Sequence, residues 1–192
     1  MSDYRVPLET TRYDGDPRRV AIILPGGQYT PAAPLLHYAR AVLLARGWTV
    51  QEIWWGDAPR QGRGEWVRQH ALTALARENA EELLLVGKSL GTLAAPVATE
   101  RGLPAVWLTP LLTEPAVVDA LTRASRPRLL VGGTADPLWD ADAARRTGAD
   151  LLEVPGADHG MEVDADPVRS VEILREVTVA MERFVGGLAG RA

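Results

Sequence analysis

The chain has 192 residues, no cysteine, three histidines and a formal charge of −4 from 21 basic and 25 acidic side chains. That length suits one domain that buries its core without disulfides or a structural metal. The missing thiols exclude a cysteine nucleophile, a Cys-ligated zinc or iron–sulfur site and a disulfide scaffold.

The predicted elements follow a simple alternation. A polar opening stretch, Tyr4–Tyr13, contains Pro7 and suits an edge strand. Asp14-Gly15-Asp16-Pro17 then turns the chain into the apolar run Val20–Leu24. A helical pattern over Pro34–Arg46 leads to the run Thr49–Trp55, and another over Glu65–Asn79 leads to Leu83–Gly87. The series continues with a helix over Leu90–Arg101, the run Ala105–Thr109, a helix over Pro115–Ser125 and the run Arg128–Gly132. It closes with a helix over Ala141–Thr147, the run Asp150–Val154 and a longer helix over Pro167–Val185. The apolar runs are too short for helices and do not alternate, as expected for strands covered on both faces. Strand–helix repetition predicts a mostly parallel α/β sheet of about six or seven strands with right-handed crossovers, in one domain over residues 1–192.

Charge and hydropathy narrow the partners. Arginines are dispersed over an acidic chain, which argues against nucleic acid, whose phosphates need a basic stripe. Met1-Ser2-Asp3-Tyr4-Arg5 has no apolar h-region and no run approaches a membrane span, so the expectation is a cytoplasmic protein without a membrane partner.

Ligands of such sheets bind beyond the carboxyl ends of the strands, so the segments after the strands should hold the chemistry. Gly87-Lys88-Ser89-Leu90-Gly91 fits the G-x-S-x-G elbow, in which a sharp strand-to-helix turn exposes a strained serine. The alternative, a phosphate-binding loop ending in Gly-Lys-Ser, fails because Glu82 stands where a further glycine is required and Leu83–Val86 are strand. A serine needs a base. His37 and His70 lie inside helical patterns, whereas His159 sits on the loop after the last strand. The base needs a carboxylate to hold its tautomer, and Asp136 after the run Arg128–Gly132 suits that role better than Asp140, Asp142, Glu153 or Asp158. Oxyanion donors are expected from the backbone N–H of Leu90 and from Gly27 or Gln28, between which the sequence does not choose.

On these residues the chain resembles the α/β-hydrolase superfamily. The chain order Ser89, Asp136, His159 matches that family, as do the elbow and the segments Gly133-Thr134-Ala135-Asp136-Pro137 and Pro155-Gly156-Ala157-Asp158-His159-Gly160. It is most similar to the small lid-less branch of dienelactone-hydrolase-like and serine-esterase-like proteins. It departs from dienelactone hydrolases in having no cysteine nucleophile, and Pro25 stands where the family usually has a histidine before the oxyanion glycine. The interval from Ser89 to Asp136 is used up by two helices and two strands, leaving no room for a cap domain. An open site would then draw its specificity from Tyr29, Trp54, Trp55, Leu111, Leu112, Leu138, Trp139 and Met161, although Trp54 and Trp55 fit equally well as packing under a helix.

The resemblance implies a serine carboxylesterase acting on a small-molecule acyl substrate, with no cofactor and no metal. A thioesterase or a small-peptide hydrolase would use the same residues. A non-catalytic binding protein on the same scaffold is the competing class.

Overall fold

Five apolar runs become the interior of one sheet because helices cover both of its faces. In the computed structural model, which describes residues 7–188, seven strands lie in the order β1-β3-β2-β4-β5-β6-β7. They are β1 (Glu9–Tyr13), β2 (Asp16–Leu24), β3 (Trp48–Trp54), β4 (Glu82–Lys88), β5 (Ala105–Leu108), β6 (Arg128–Gly133) and β7 (Asp150–Val154). All neighbouring pairs are parallel except β1 with β3. The helices are α1 (Pro34–Ala45), α2 (Arg63–Leu75), α3 (Ala95–Arg101), α4 (Pro115–Arg123), α5 (Ala141–Arg146) and α6 (Pro167–Leu188). No cap domain interrupts this order, and no helix among the described residues is long and apolar enough to cross a membrane.

Two hydrophobic layers sandwich the sheet. Leu35, Leu43, Ile173 and Val177 of α1 and α6 pack on Ala21, Ile23, Leu84 and Val86. On the opposite face, Val67, Val97, Val117 and Ala143 of α2 to α5 pack on Ile22, Leu24, Leu85 and Trp107. Consecutive strand residues thus serve different cores, which explains why the runs show no alternation.

Several boundaries differ from the sequence reading; the helix expected over Glu65–Asn79, for instance, spans Arg63–Leu75. β2 starts at Asp16, four polar-flanked residues ahead of its apolar run, with an irregular register against β3 before Val20. The helix expected over Leu90–Arg101 opens instead as a 3₁₀ turn, Ser89–Ala94, before α3. Thr92 Oγ1 donates to the Ser89 carbonyl and Pro96 has no N–H for the Thr92 carbonyl, so the first turns tighten. The opening strand pairs only with β3 and spans Glu9–Tyr13, while residues 4–6 of the expected stretch lie outside the described residues. The run Asp150–Val154 forms the other edge, and Leu151 there is 39% exposed.

Candidate active site

The carboxyl ends of β4, β6 and β7 bring three chemically competent side chains together. After Lys88, the chain turns so sharply that Ser89 has φ of +50°, a left-handed conformation that a non-glycine residue holds only when its surroundings enforce it. The enforcement is visible on both sides. A Cβ at Gly87 would lie 2.6 Å from the Trp107 ring, and one at Gly91 would lie 2.2 Å from the Leu24 carbonyl oxygen. Strand and turn therefore pass closer than any side chain permits, and the hydroxyl of Ser89 is pushed out of the sheet.

That hydroxyl lies 2.8 Å from His159 Nε2, and His159 Nδ1 lies 2.7 Å from Asp136 Oδ2. A carboxylate can only accept, so Nδ1 carries the ring proton and Nε2 is left to accept from Ser89. The Asp136 side chain is fully buried, and its other oxygen accepts the Leu138 N–H at 2.9 Å. Both oxygens are therefore satisfied, and the carboxylate has no freedom to turn away from the imidazole.

The other acidic candidates are engaged elsewhere. Asp158 Oδ1 accepts the backbone N–H groups of Gly160 and Glu162, closing the turn that carries His159. Asp140 caps α5 through Ala143 N, Asp142 pairs with Arg145, and Glu153 accepts from Trp139 Nε1. His37 is exposed beside Arg40, and His70 is buried against Trp55 and Trp66 with Nδ1 on the Trp66 carbonyl. Neither meets the serine.

Beside Ser89 opens a cavity of about 640 Å³, lined by Gly27, Gln28, Asp57, Ala58, Arg60, Arg63, Leu90, Leu111 and Leu138. The three residues expected as oxyanion donors, Leu90, Gly27 and Gln28, thus share its wall with the serine. The N–H of Gly26 is spent on the Tyr29 carbonyl, and its own carbonyl accepts from Trp55 Nε1 at 3.0 Å. These bonds orient the loop that presents Gly27 and Gln28.

Of the eight side chains expected to give specificity, only Leu111 and Leu138 line this cavity. Tyr29 and Met161 line a separate cavity of about 520 Å³ on the far side of the His159 loop. Leu112 is drawn into the core beneath α4. Trp54 donates to Thr11 on β1, Trp55 stacks on Trp66, and Trp139 lies over Gly132 and donates to Glu153. Each large ring finds an apolar surface and an acceptor within the fold, which is where an indole is most stable. Asp57, Arg60 and Arg63 escaped the sequence reading as site residues, although the segment Gly56-Asp57-Ala58-Pro59 follows a strand end and so carried a positional signal.

Lys88, the only lysine in the sequence, is 3% exposed. Its ammonium donates to the His159 carbonyl oxygen at 3.1 Å and sits 4.7 Å from the centre of the Tyr29 ring. Burial pushes its pKa down to about 8, against the raising influence of Asp136 and Asp158. Burial also pushes the Tyr29 phenol up, against the hydrogen bond it accepts from Leu35 N at the start of α1.

No family model and no curated protein matches the chain. Solved structures do. The chain superposes on Est1E from Butyrivibrio proteoclasticus, solved with ferulic acid, at a TM-score of 0.73 and 15% identity over 92% of this chain and 93% of that one. A putative α/β hydrolase from Agrobacterium tumefaciens gives 0.73 at 16% identity, over 94% and 92% of the two chains. A serine hydrolase without a lid from Xanthomonas campestris gives 0.66 at 17%, over 95% and 89%. The chain has the lid-less α/β-hydrolase fold. Within that fold Ser89, Asp136 and His159 follow three separate strand ends, those of β4, β6 and β7.

Proposed function

We propose that this protein is a serine hydrolase that cleaves carboxylic esters of small molecules. The observation that carries this reading is the continuous relay from Ser89 Oγ through His159 to the buried Asp136, at 2.8 and 2.7 Å. In the reaction, Ser89 attacks the acyl carbonyl while His159 Nε2 takes its proton. Asp136 stabilises the imidazolium that results. The negative charge on the tetrahedral oxygen falls to the N–H of Leu90 and an N–H from Gly27 or Gln28. The imidazolium returns its proton to the leaving alkoxide, and a water activated by the same histidine releases the acid and restores the serine. The open cavity without a lid suits small esters that need no interfacial opening.

The test is turnover of short p-nitrophenyl esters together with labelling by a serine-directed fluorophosphonate. Ser89→Ala should lose about 10⁴-fold or more in kcat and all labelling, while its circular dichroism stays that of the parent. Hydrolysis at the parental rate by that variant would overturn the proposal. Thioesters and amides belong in the same panel, since the leaving atom distinguishes an esterase from its close alternatives.

A further inference from the structure

The relay uses Ser89, His159 and Asp136 and leaves one buried ionisable group beside it unemployed. Lys88 follows Leu84 and Val86 on the face of β4 that packs against α1 and α6, so its side chain leaves the sheet on the side opposite the Ser89 cavity. It ends between two loops that belong to different strand ends, the Tyr29 ring after β2 and the His159 carbonyl before α6. An ammonium has three N–H donors, yet it makes a single hydrogen bond with the described residues. A methionine would fill the same volume without the cost of burying a charge.

Something other than packing must therefore account for a cation at this point, and the His159 backbone supplies the reason. Its carbonyl oxygen accepts only from Lys88 among the described residues, and the next residue is Gly160, the least restrained backbone in the chain alphabet. Asp136 holds the far side of the imidazole ring and Asp158 Oδ1 accepts the Gly160 N–H of the same peptide unit, which leaves the carbonyl end of that unit to Lys88. We propose that Lys88 is a positioning residue, whose ammonium pins the His159 carbonyl and so keeps the imidazole in line between Ser89 and Asp136. This inference rests on the hydrolase reading for its kinetic consequence, but not for its structural one. The Tyr29 face, and the carboxylates of Asp136 and Asp158 beyond the loop, compensate the charge without giving it a second hydrogen bond.

The experiment compares Lys88→Met with Lys88→Gln, which restores an N–H donor without the charge. In Lys88→Met the rate of fluorophosphonate labelling and kcat should both fall about 10- to 100-fold, with KM changed less than threefold, as expected when a base is displaced by a fraction of an ångström to an ångström. Lys88→Gln should recover part of that loss. The melting temperature of Lys88→Met should be equal to or above the parent's, because a buried charge has been removed. A lowered melting temperature with a proportional loss of activity would mean that the lysine is merely structural and would overturn the proposal, as would unchanged kcat. A second readout is independent of turnover: the low-field proton resonance of His159 Nδ1–H should be sharp in the parent and broadened in Lys88→Met. Should the parent fail to label at all, the hydrolase reading falls, whereas this resonance still decides whether Lys88 holds the imidazole; an identical resonance in both proteins would overturn the positioning role.

Discussion

Two regions border the Ser89 hydroxyl, and they are built in opposite ways. The strand-end region behind it consists of Gly87, Lys88, Gly91, Asp136 and the His159 turn; Lys88 and Asp136 are buried, and its polar groups are assigned to partners. The mouth in front of it, residues 56–63, is mostly exposed. Arg60 there makes no hydrogen bond or ion pair with the described residues, and Arg63 spends only Nε on the Pro59 carbonyl. The contrast assigns the two jobs of the proposed hydrolase to different physics. Proton transfer needs atoms held to within tenths of an ångström, which only dense packing supplies. Selection among substrates tolerates mobile charged groups in water, each of which contributes little.

The largest expected effect attacks the buried region through its acid. Asp136→Asn removes the preference for a proton on Nδ1 while keeping the shape, and kcat on p-nitrophenyl acetate should fall by about 10³- to 10⁴-fold with KM nearly unchanged. A loss of less than tenfold would mean that the buried carboxylate is not what orients the imidazole.

Gly91→Ala tests the same region through its backbone. The new Cβ would be driven into the Leu24 carbonyl, so urea unfolding should show a destabilisation of about 3 kcal/mol. Stability within 0.5 kcal/mol of the parent, an order-of-magnitude threshold for a surface change, would show that the elbow yields more easily than its geometry implies.

The buried cation sharpens the comparison through pH. Lys88 titrates near 8 when folded and near the ordinary lysine value when unfolded, so between those values the unfolded chain binds more protons. Stability attributable to this group therefore rises with pH across that window. The difference in unfolding free energy between the parent and Lys88→Met should shift by about 2–3 kcal/mol in favour of the parent from pH 7 to pH 10. A flat difference would place the ammonium in contact with water.

The mouth should respond least. Arg60→Ala and Arg63→Ala should together lower kcat/KM for an ester carrying a free carboxylate by about two- to fivefold relative to its methyl ester, the scale of exposed charge interactions. Added salt should erase the difference. A hundredfold effect would contradict the division drawn above and move substrate selection into the arginines.

Much of this molecule was legible in its residues because the informative ones obey local rules. The apolar runs read as strands because they are short, show no helical period and alternate with helical patterns, and β7 coincides with the run Asp150–Val154. The elbow was readable because Gly87 and Gly91 mark a close approach that any Cβ would forbid. Asp136 and His159 were readable by elimination, because His37 and His70 lie inside helical patterns and Asp140 and Asp142 suit the first turn of a helix. The aromatic residues were not. Trp54, Trp55 and Trp139 stand at strand ends just as substrate-binding rings would, and their sequence neighbourhood does not reveal Thr11, Trp66 or Glu153 as partners.

The chain alone determined the strand–helix order and the missing lid, and it singled out Ser89, Asp136 and His159, which the structure brings together, because those readings follow from periodicity, spacing and turn chemistry along neighbouring residues. Only the tertiary structure decided the 2.8 and 2.7 Å separations, the arginine-lined cavity and the burial of the Lys88 ammonium against a carbonyl 71 residues away. Those depend on which loops meet above the sheet. Strand order and crossover packing control that meeting, and no short stretch of sequence encodes either.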